Sequence, residues 1–146
     1  MADTGFLGPL TYTWALVRSG HASASVLPPL LRRAAAMARS GRWGLADLTV
    51  YLATSATERR RRVARDPVGH PPGLAARHEA VGRLERELYR HRIAPLLGRR
   101  FRVVDGDAPP AEVVRRVLAV VRRATGRPPP SLTEVLAVLR ALEVPD

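Results

Sequence analysis

Asp47-Leu48-Thr49-Val50-Tyr51-Leu52-Ala53 is the stretch on which the fold turns. Thr49, Val50 and Tyr51 are β-branched or aromatic and favour extended backbone. The run is short and mostly apolar, the pattern of a strand buried in a parallel sheet. A second run of the same kind, Phe101-Arg102-Val103-Val104, leads into the turn Asp105-Gly106-Asp107. Helical sequence fills the interval between them, and strands separated by helices favour an α/β layer with parallel pairing.

Working outward, residues 8–19 read as a helix with Gly20 as its stop. Pro28 and Pro29 open a second helix, continued by the Ala, Leu and Arg of Leu30 to Arg39 and ended at Gly41. Beyond the first strand, Ser55 or Thr57 is placed to cap a helix with Glu58 near its start and Arg59 to Arg62 further along, which suits the helix dipole. Asp66-Pro67 breaks it, and Val68 to Gly73 reads as a loop. A long helix follows from about Leu74 to Ile93, with Val81, Leu84, Leu88 and Ile93 on one face, and Pro95 kinks or ends it. Pro110 begins another helix, apolar at Val113, Val114, Val117, Leu118 and Val121. Gly126 to Pro130 is a stiff linker, and Ser131 with Glu134 forms a capping-box pattern for a last short helix.

Two parallel strands make a poor sheet, because both faces and both edges need cover. The pattern therefore reads as part of a larger, helix-rich α/β domain. A chain of 146 residues that is 46% hydrophobic suits one folded core. No apolar run is long enough to cross a bilayer, and no signal peptide is evident. Cysteine is absent, which removes disulfides, thiolate zinc sites and thiol nucleophiles and is compatible with a cytoplasmic location. His21, His70, His78 and His91 have no metal-ligand spacing.

The formal net charge is +11, and every basic residue is Arg, since Lys does not occur. Asn and Gln are missing as well, so part of the charge reflects an Ala/Arg/Pro/Gly-rich composition. A basic surface attracts phosphates of any kind, so charge alone does not separate a nucleotide enzyme from a nucleic-acid binder.

Three segments, in order, resemble the thymidylate kinase type of P-loop nucleotide kinase. Asp3-Thr4-Gly5-Phe6-Leu7-Gly8-Pro9-Leu10-Thr11-Tyr12 is similar to that family's segment running from Asp-Arg to Ala-Tyr. Ala46 to Ala53, with Glu58 and Arg62 after it, is similar to its Pro-Asp-Leu strand and the helix leading into the lid. Phe101 to Asp107, with Val113 after it, is similar to its closing strand, the turn near adenine and the final helix. Arg77-His78-Glu79 and Tyr89 suit the helix after the lid. The resemblance covers roughly residues 3–122. It implies a partial P-loop-kinase-like, three-layer α/β fold with few parallel strands over 1–125, followed by a Pro-rich linker and short helix over 126–146.

The departures are equally specific. No Gly-x-x-x-x-Gly-Lys-Ser/Thr occurs in the chain. Thr4 stands where the family has an arginine, and Ala53 where it usually has an acidic residue. Met1 precedes the first motif by two residues, the arrangement expected of a shortened reading of a longer gene.

The resemblance implies ATP-dependent phosphorylation of a nucleotide such as thymidylate, with ATP and Mg²⁺ as cofactors. Without the loop that cradles phosphates, the expectation for these residues is an inactive domain or one needing a complementing segment. By resemblance Arg62 and Arg65 supply lid arginines, and Arg59, Arg60 and Arg61 are weaker candidates; the plain alternative is a solvated helix face. Asp3 assists Mg²⁺ or the acceptor phosphate, or is a frayed terminal residue. Tyr12 contacts the acceptor base, or packs in the core beside Trp14. Asp105 and Gly106 form the turn beside adenine, or an ordinary strand-to-helix turn.

Two other readings stand beside this one. The arginine pairs 32/33, 99/100, 115/116 and 122/123 suggest a basic helical nucleic-acid-binding module, although the arginines form no single stripe and stacking aromatics are few. A non-catalytic interaction protein that covers exposed sheet edges by self-association is the third.

Overall fold

The computed structural model describes residues 7–65, 74–124, 126 and 128–143. The chain divides into two compact units. The first takes the described residues within 1–46, 80–98 and 128–146, and the second those within 47–79 and 99–127. The expected break at Asp66-Pro67 and the loop over Val68 to Gly73 lie outside the described residues.

The first unit is helical. α1 (Leu7–Arg18) buries Leu7, Leu10, Thr11, Trp14 and Ala15, the spacing of a single apolar stripe. Gly20 follows at φ 73°, a left-handed conformation that glycine adopts without the Cβ penalty. A 3₁₀ turn over Ala24–Val26 leads into α2 (Leu27–Arg39), whose first turn holds Pro28 and Pro29. α2 buries Leu27, Leu31, Ala34 and Ala38.

α4 (Leu74–Leu88) is the long helix expected from the sequence, and its continuation is not regular. Tyr89–Ile93 forms a π turn, in which the Ala94 N–H donates to the Tyr89 carbonyl. Pro95 explains the change of pitch. Its ring conflicts with the carbonyl four residues back, and the wider turn re-routes the backbone bonds so that a short helix, α5 (Ala94–Leu97), can continue past it. Pro95 therefore widens the helix rather than ending it.

α7 (Leu132–Ala141) begins with the expected capping box: Ser131 Oγ accepts from the Glu134 N–H, and Glu134 Oε2 accepts from the Ser131 N–H at 2.7 Å. It packs on α2 and α5 and buries Val135, Val138 and Leu139, with Leu142 just beyond. The closing segment is thus part of a core.

The second unit holds the sheet. β1 (Thr49–Ala53) and β2 (Phe101–Asp105) pair in parallel, with Thr49 opposite Phe101 and Ala53 opposite Asp105. Tyr51 stacks on Phe101 with ring centroids 6.2 Å apart. α3 (Ala56–Ala64) follows β1, and α6 (Pro110–Ala124) follows β2 and packs against it. The protein is therefore helix-rich α/β with a two-stranded parallel sheet among the described residues.

One expectation fails here. The first strand reads as fully buried, yet none of its residues is; Leu52 is 45% exposed and Val103 on β2 is 60% exposed. Two strands cannot cover both of their own faces. α6 has the same character: its apolar stripe is clear, but none of it is fully buried, and Val114 and Leu118 are exposed. Among the described residues, no helix is long and apolar enough to cross a membrane.

A polar cluster lies inside the first unit. The fully buried Thr11 hydroxyl is 2.8 Å from Glu85 Oε1, 3.0 Å from the Gly8 carbonyl and 3.3 Å from Tyr89 Oη. Burial raises the Glu85 carboxyl above its ordinary range, and the Thr11 hydrogen bond only partly opposes this. The fold therefore favours the protonated acid. Its stabilising effect is complete below the unfolded-state value and is lost as pH rises through the raised folded-state value. Glu85→Gln keeps an acceptor for Thr11 and removes the charge. Thermal denaturation should show this variant with a higher Tm than the parent at about pH 7 and an equal Tm at about pH 3.5. A lower Tm for the variant at neutral pH would contradict the assignment.

Candidate functional site

The chemistry-bearing side chains of the second unit gather beyond the carboxyl ends of β1 and β2. Parallel strands deliver both of their ends, and the amino ends of the helices that follow, to the same side; ligands of open α/β sheets bind in that crevice. Ala53 and Asp105 are the last register partners, and the Gly106 N–H donates to the Ala53 carbonyl at 2.8 Å, adding one rung past the ladder.

Only a residue without a side chain fits there. A Cβ on Gly106 would stand 2.6 Å from Thr54 Oγ1 and 3.3 Å from the Ala53 carbonyl oxygen. The Asp-Gly turn is thus required by close approach of two backbones. Asp105 Oδ1 accepts the Asp107 N–H at 3.0 Å, an Asx turn, and Asp105 Oδ2 accepts from Arg116 Nη1 at 3.3 Å.

α3 enters from the other strand. Ser55 is its cap, accepting the Glu58 N–H at 3.2 Å, and the Arg59 N–H donates to the Ser55 carbonyl. The Ser55 N–H donates in turn to Asp107 Oδ1 at 2.8 Å, across 52 residues of chain. Ser55 and, secondarily, the positive charges of Arg62 and Arg59 hold the Asp107 carboxyl below its usual range. Arg62 Nη2 donates to the Gly106 carbonyl at 2.6 Å, and its Nε donates to Glu58 Oε1 at 3.0 Å. Arg59 Nη1 donates to the Thr54 carbonyl at 3.3 Å, while its Nη2 is buried with no hydrogen-bond partner among the described residues.

The structure thus brings Arg62, Asp105 and Gly106 together, three of the six residues singled out by resemblance. Asp3 lies outside the described residues. Tyr12 belongs to the first unit, on α1, and at 39% exposure it is not the core residue that the alternative reading made it. Arg65 is exposed just past α3, its N–H bonded to the Arg62 carbonyl. Arg60 and Arg61 are exposed, and Arg61 pairs with Glu58.

Three roles were not visible in the sequence: Asp107 as a partner of Ser55, Arg59 as a donor to the Thr54 carbonyl, and Glu85 inside the first unit. The local signal for Ser55 was its capping position, and nothing local could show its bond to a residue in the turn beyond the other strand. Among the described residues, no group of three His, Asp or Glu converges as metal ligands. No protein-family model, curated protein or solved structure matches the chain.

The close approach at Gly106 gives a direct test. Gly106→Ala should cost about 1–3 kcal/mol in urea denaturation, because Thr54 is stiff at χ1 and the Ala53 carbonyl is backbone. Adding Thr54→Ala should restore part of that loss and leave the part due to the carbonyl. Full stability of Gly106→Ala alone would show that the turn is not packed as described.

Proposed function

We propose that the second unit is a nucleotide-kinase-like phosphate-binding fragment, related to the closing part of thymidylate-type kinases, and that these 146 residues do not transfer phosphate by themselves. The observation that carries this reading is the parallel register of β1 and β2. It sets Arg62, Asp105 and Gly106 side by side at the carboxyl ends of the strands, where the resemblance expects nucleotide. A helix amino end and two guanidinium groups at one place suit a phosphoryl group.

The residues present fit phosphate better than they fit Mg²⁺. Asp105 is engaged by Arg116 and by the Asp107 N–H, and Asp107 is engaged by Ser55. ATP and Mg²⁺ as cofactors, and a nucleotide as acceptor, therefore belong to the complete kinase that the chain resembles. The glycine-rich loop and lysine that grip a triphosphate are not among these residues. The cost of that absence falls on phosphoryl transfer more than on weak binding of a single phosphate.

NMR titration with ATP–Mg²⁺ and with thymidine monophosphate tests the reading. Weak binding is expected, with shifts confined to residues near 53–62 and 104–110. Arg62→Ala should weaken it by about fivefold or more, the loss of one charge-assisted contact. Radiolabelled ATP should yield no phosphorylated nucleotide. Shifts absent even at millimolar nucleotide, or salt-sensitive binding of DNA or RNA spread over both units, would replace this reading with the nucleic-acid one.

A further inference from the structure

We propose that α6 lies along an anionic lipid surface, where Val114 and Leu118 enter the acyl boundary and Arg115 and Arg122 meet the headgroups. At about 3.6 residues per turn, the apolar and charged residues of α6 separate completely around the helix. Val113, Val114, Val117, Leu118, Val120 and Val121 fall on one arc, and all four arginines fall on the other with Glu112. Composition sets how many arginines the chain has, not this separation. The apolar arc takes nearly half the circumference, and only part of it is covered. Val113, Val117, Val120 and Val121 are half-buried, and α6 packs on β2. Val114 and Leu118, one turn apart, remain 57% and 47% exposed. Around the helix, Leu118 has Val114 and Val121 on one side and Arg115 and Arg122, both exposed, on the other.

An apolar strip bordered by cations decides the occupant. A second copy packed on the same strip would set Arg115 and Arg122 against arginines, and like charges brought together are unfavourable. Nucleic acid would meet the arginines and give Val114 and Leu118 nothing. A protein groove has to bury a far larger area than two side chains one turn apart. An anionic bilayer meets both halves of the strip. Its acyl boundary takes the aliphatic side chains, its headgroups take the guanidinium groups, and the long arginine stems keep the charge at headgroup level. The helix carries four arginines to one acid and the chain a net charge of +11, the sign that such a surface attracts. Among the described residues no helix is long and apolar enough to cross a membrane, so α6 lies on the surface rather than spanning it. The contact uses none of the residues at the strand ends and does not depend on the phosphate-binding reading.

Sedimentation of the full chain with lipid vesicles at about 0.1 M salt tests the proposal. Vesicles of phosphatidylcholine with phosphatidylserine should carry the protein down, and vesicles of phosphatidylcholine alone should bind it at least about tenfold more weakly. Val114→Ser with Leu118→Ser should weaken binding to the anionic vesicles by about tenfold or more. Arg115→Ala with Arg122→Ala should do the same, while Arg115→Lys with Arg122→Lys should stay within about threefold of the parent. Arg32→Ala with Arg33→Ala removes the same charge from exposed positions on α2 and should also stay within about threefold. All of these positions are exposed, and circular dichroism checks that each variant folds; the arginine pairs test the strip independently of the serine pair. Equal binding to both kinds of vesicle, binding to neither, or serine variants that bind like the parent overturns the proposal. So does a loss from the α2 pair as large as that from Arg115 and Arg122. A dimer in light scattering that the serine pair turns into a monomer also overturns it, by giving the strip to a second copy.

Discussion

Backbone hydrogen bonds between β1 and β2 join two segments about fifty residues apart in the chain, and every chemical feature of the second unit hangs from that parallel ladder. Parallel pairing puts both strand ends on one side. An antiparallel ladder would send Thr54-Ser55 and Gly106-Asp107 to opposite ends of the sheet. The rung from Gly106 to Ala53 then extends the pairing beyond the strands and leaves no room for a side chain. The contacts Ser55 to Asp107 and Arg62 to the Gly106 carbonyl add two cross-links at the same end. Together they tie α3, the helix that follows β1, to the turn that follows β2.

Arginine abundance obscures which of the 24 arginines matter. Geometry separates them. Arg61 and Arg115 pair with acidic side chains on their own helices, contacts that water and salt weaken and that contribute little. Arg62 differs because one nitrogen reaches a backbone carbonyl of the opposite strand's turn. Arg59 differs because its Nη1 donates to the Thr54 carbonyl just past β1. In the first unit, Arg18 and Arg92 lie over the ring of the buried Trp14 at 6.0 and 5.7 Å, an aromatic use of the same residue type.

Much of the local structure was legible in the sequence, because it rests on local rules. The capping box at Ser131, the prolines opening α2, the stop at Gly20 and the β-branched run at 49–51 act within a few residues of themselves. So does the order of strands and helices that implies parallel pairing. Other features were not legible. The π turn arises from how one proline is accommodated inside a packed helix, not from the presence of proline alone. The exposure of Leu52, Val103, Val114 and Leu118 depends on what the rest of the sheet does or does not supply. Of the candidate site, Arg62, Asp105 and Gly106 were found through a motif order, whereas Asp107 draws its role from a contact with Ser55 beyond the other strand and Arg59 from its bond to the Thr54 carbonyl.

Cross-strand nuclear Overhauser effects in isotopically labelled protein bear most directly on this account. Parallel register requires contacts that advance in the same direction along both strands, from Thr49 with Phe101 to Ala53 with Asp105, and then a contact between the Gly106 amide and Ala53. Contacts that run in opposite directions, or strands with no contacts between them, would contradict the ladder and with it the gathering of Ser55, Arg59, Arg62 and Asp107 at one end.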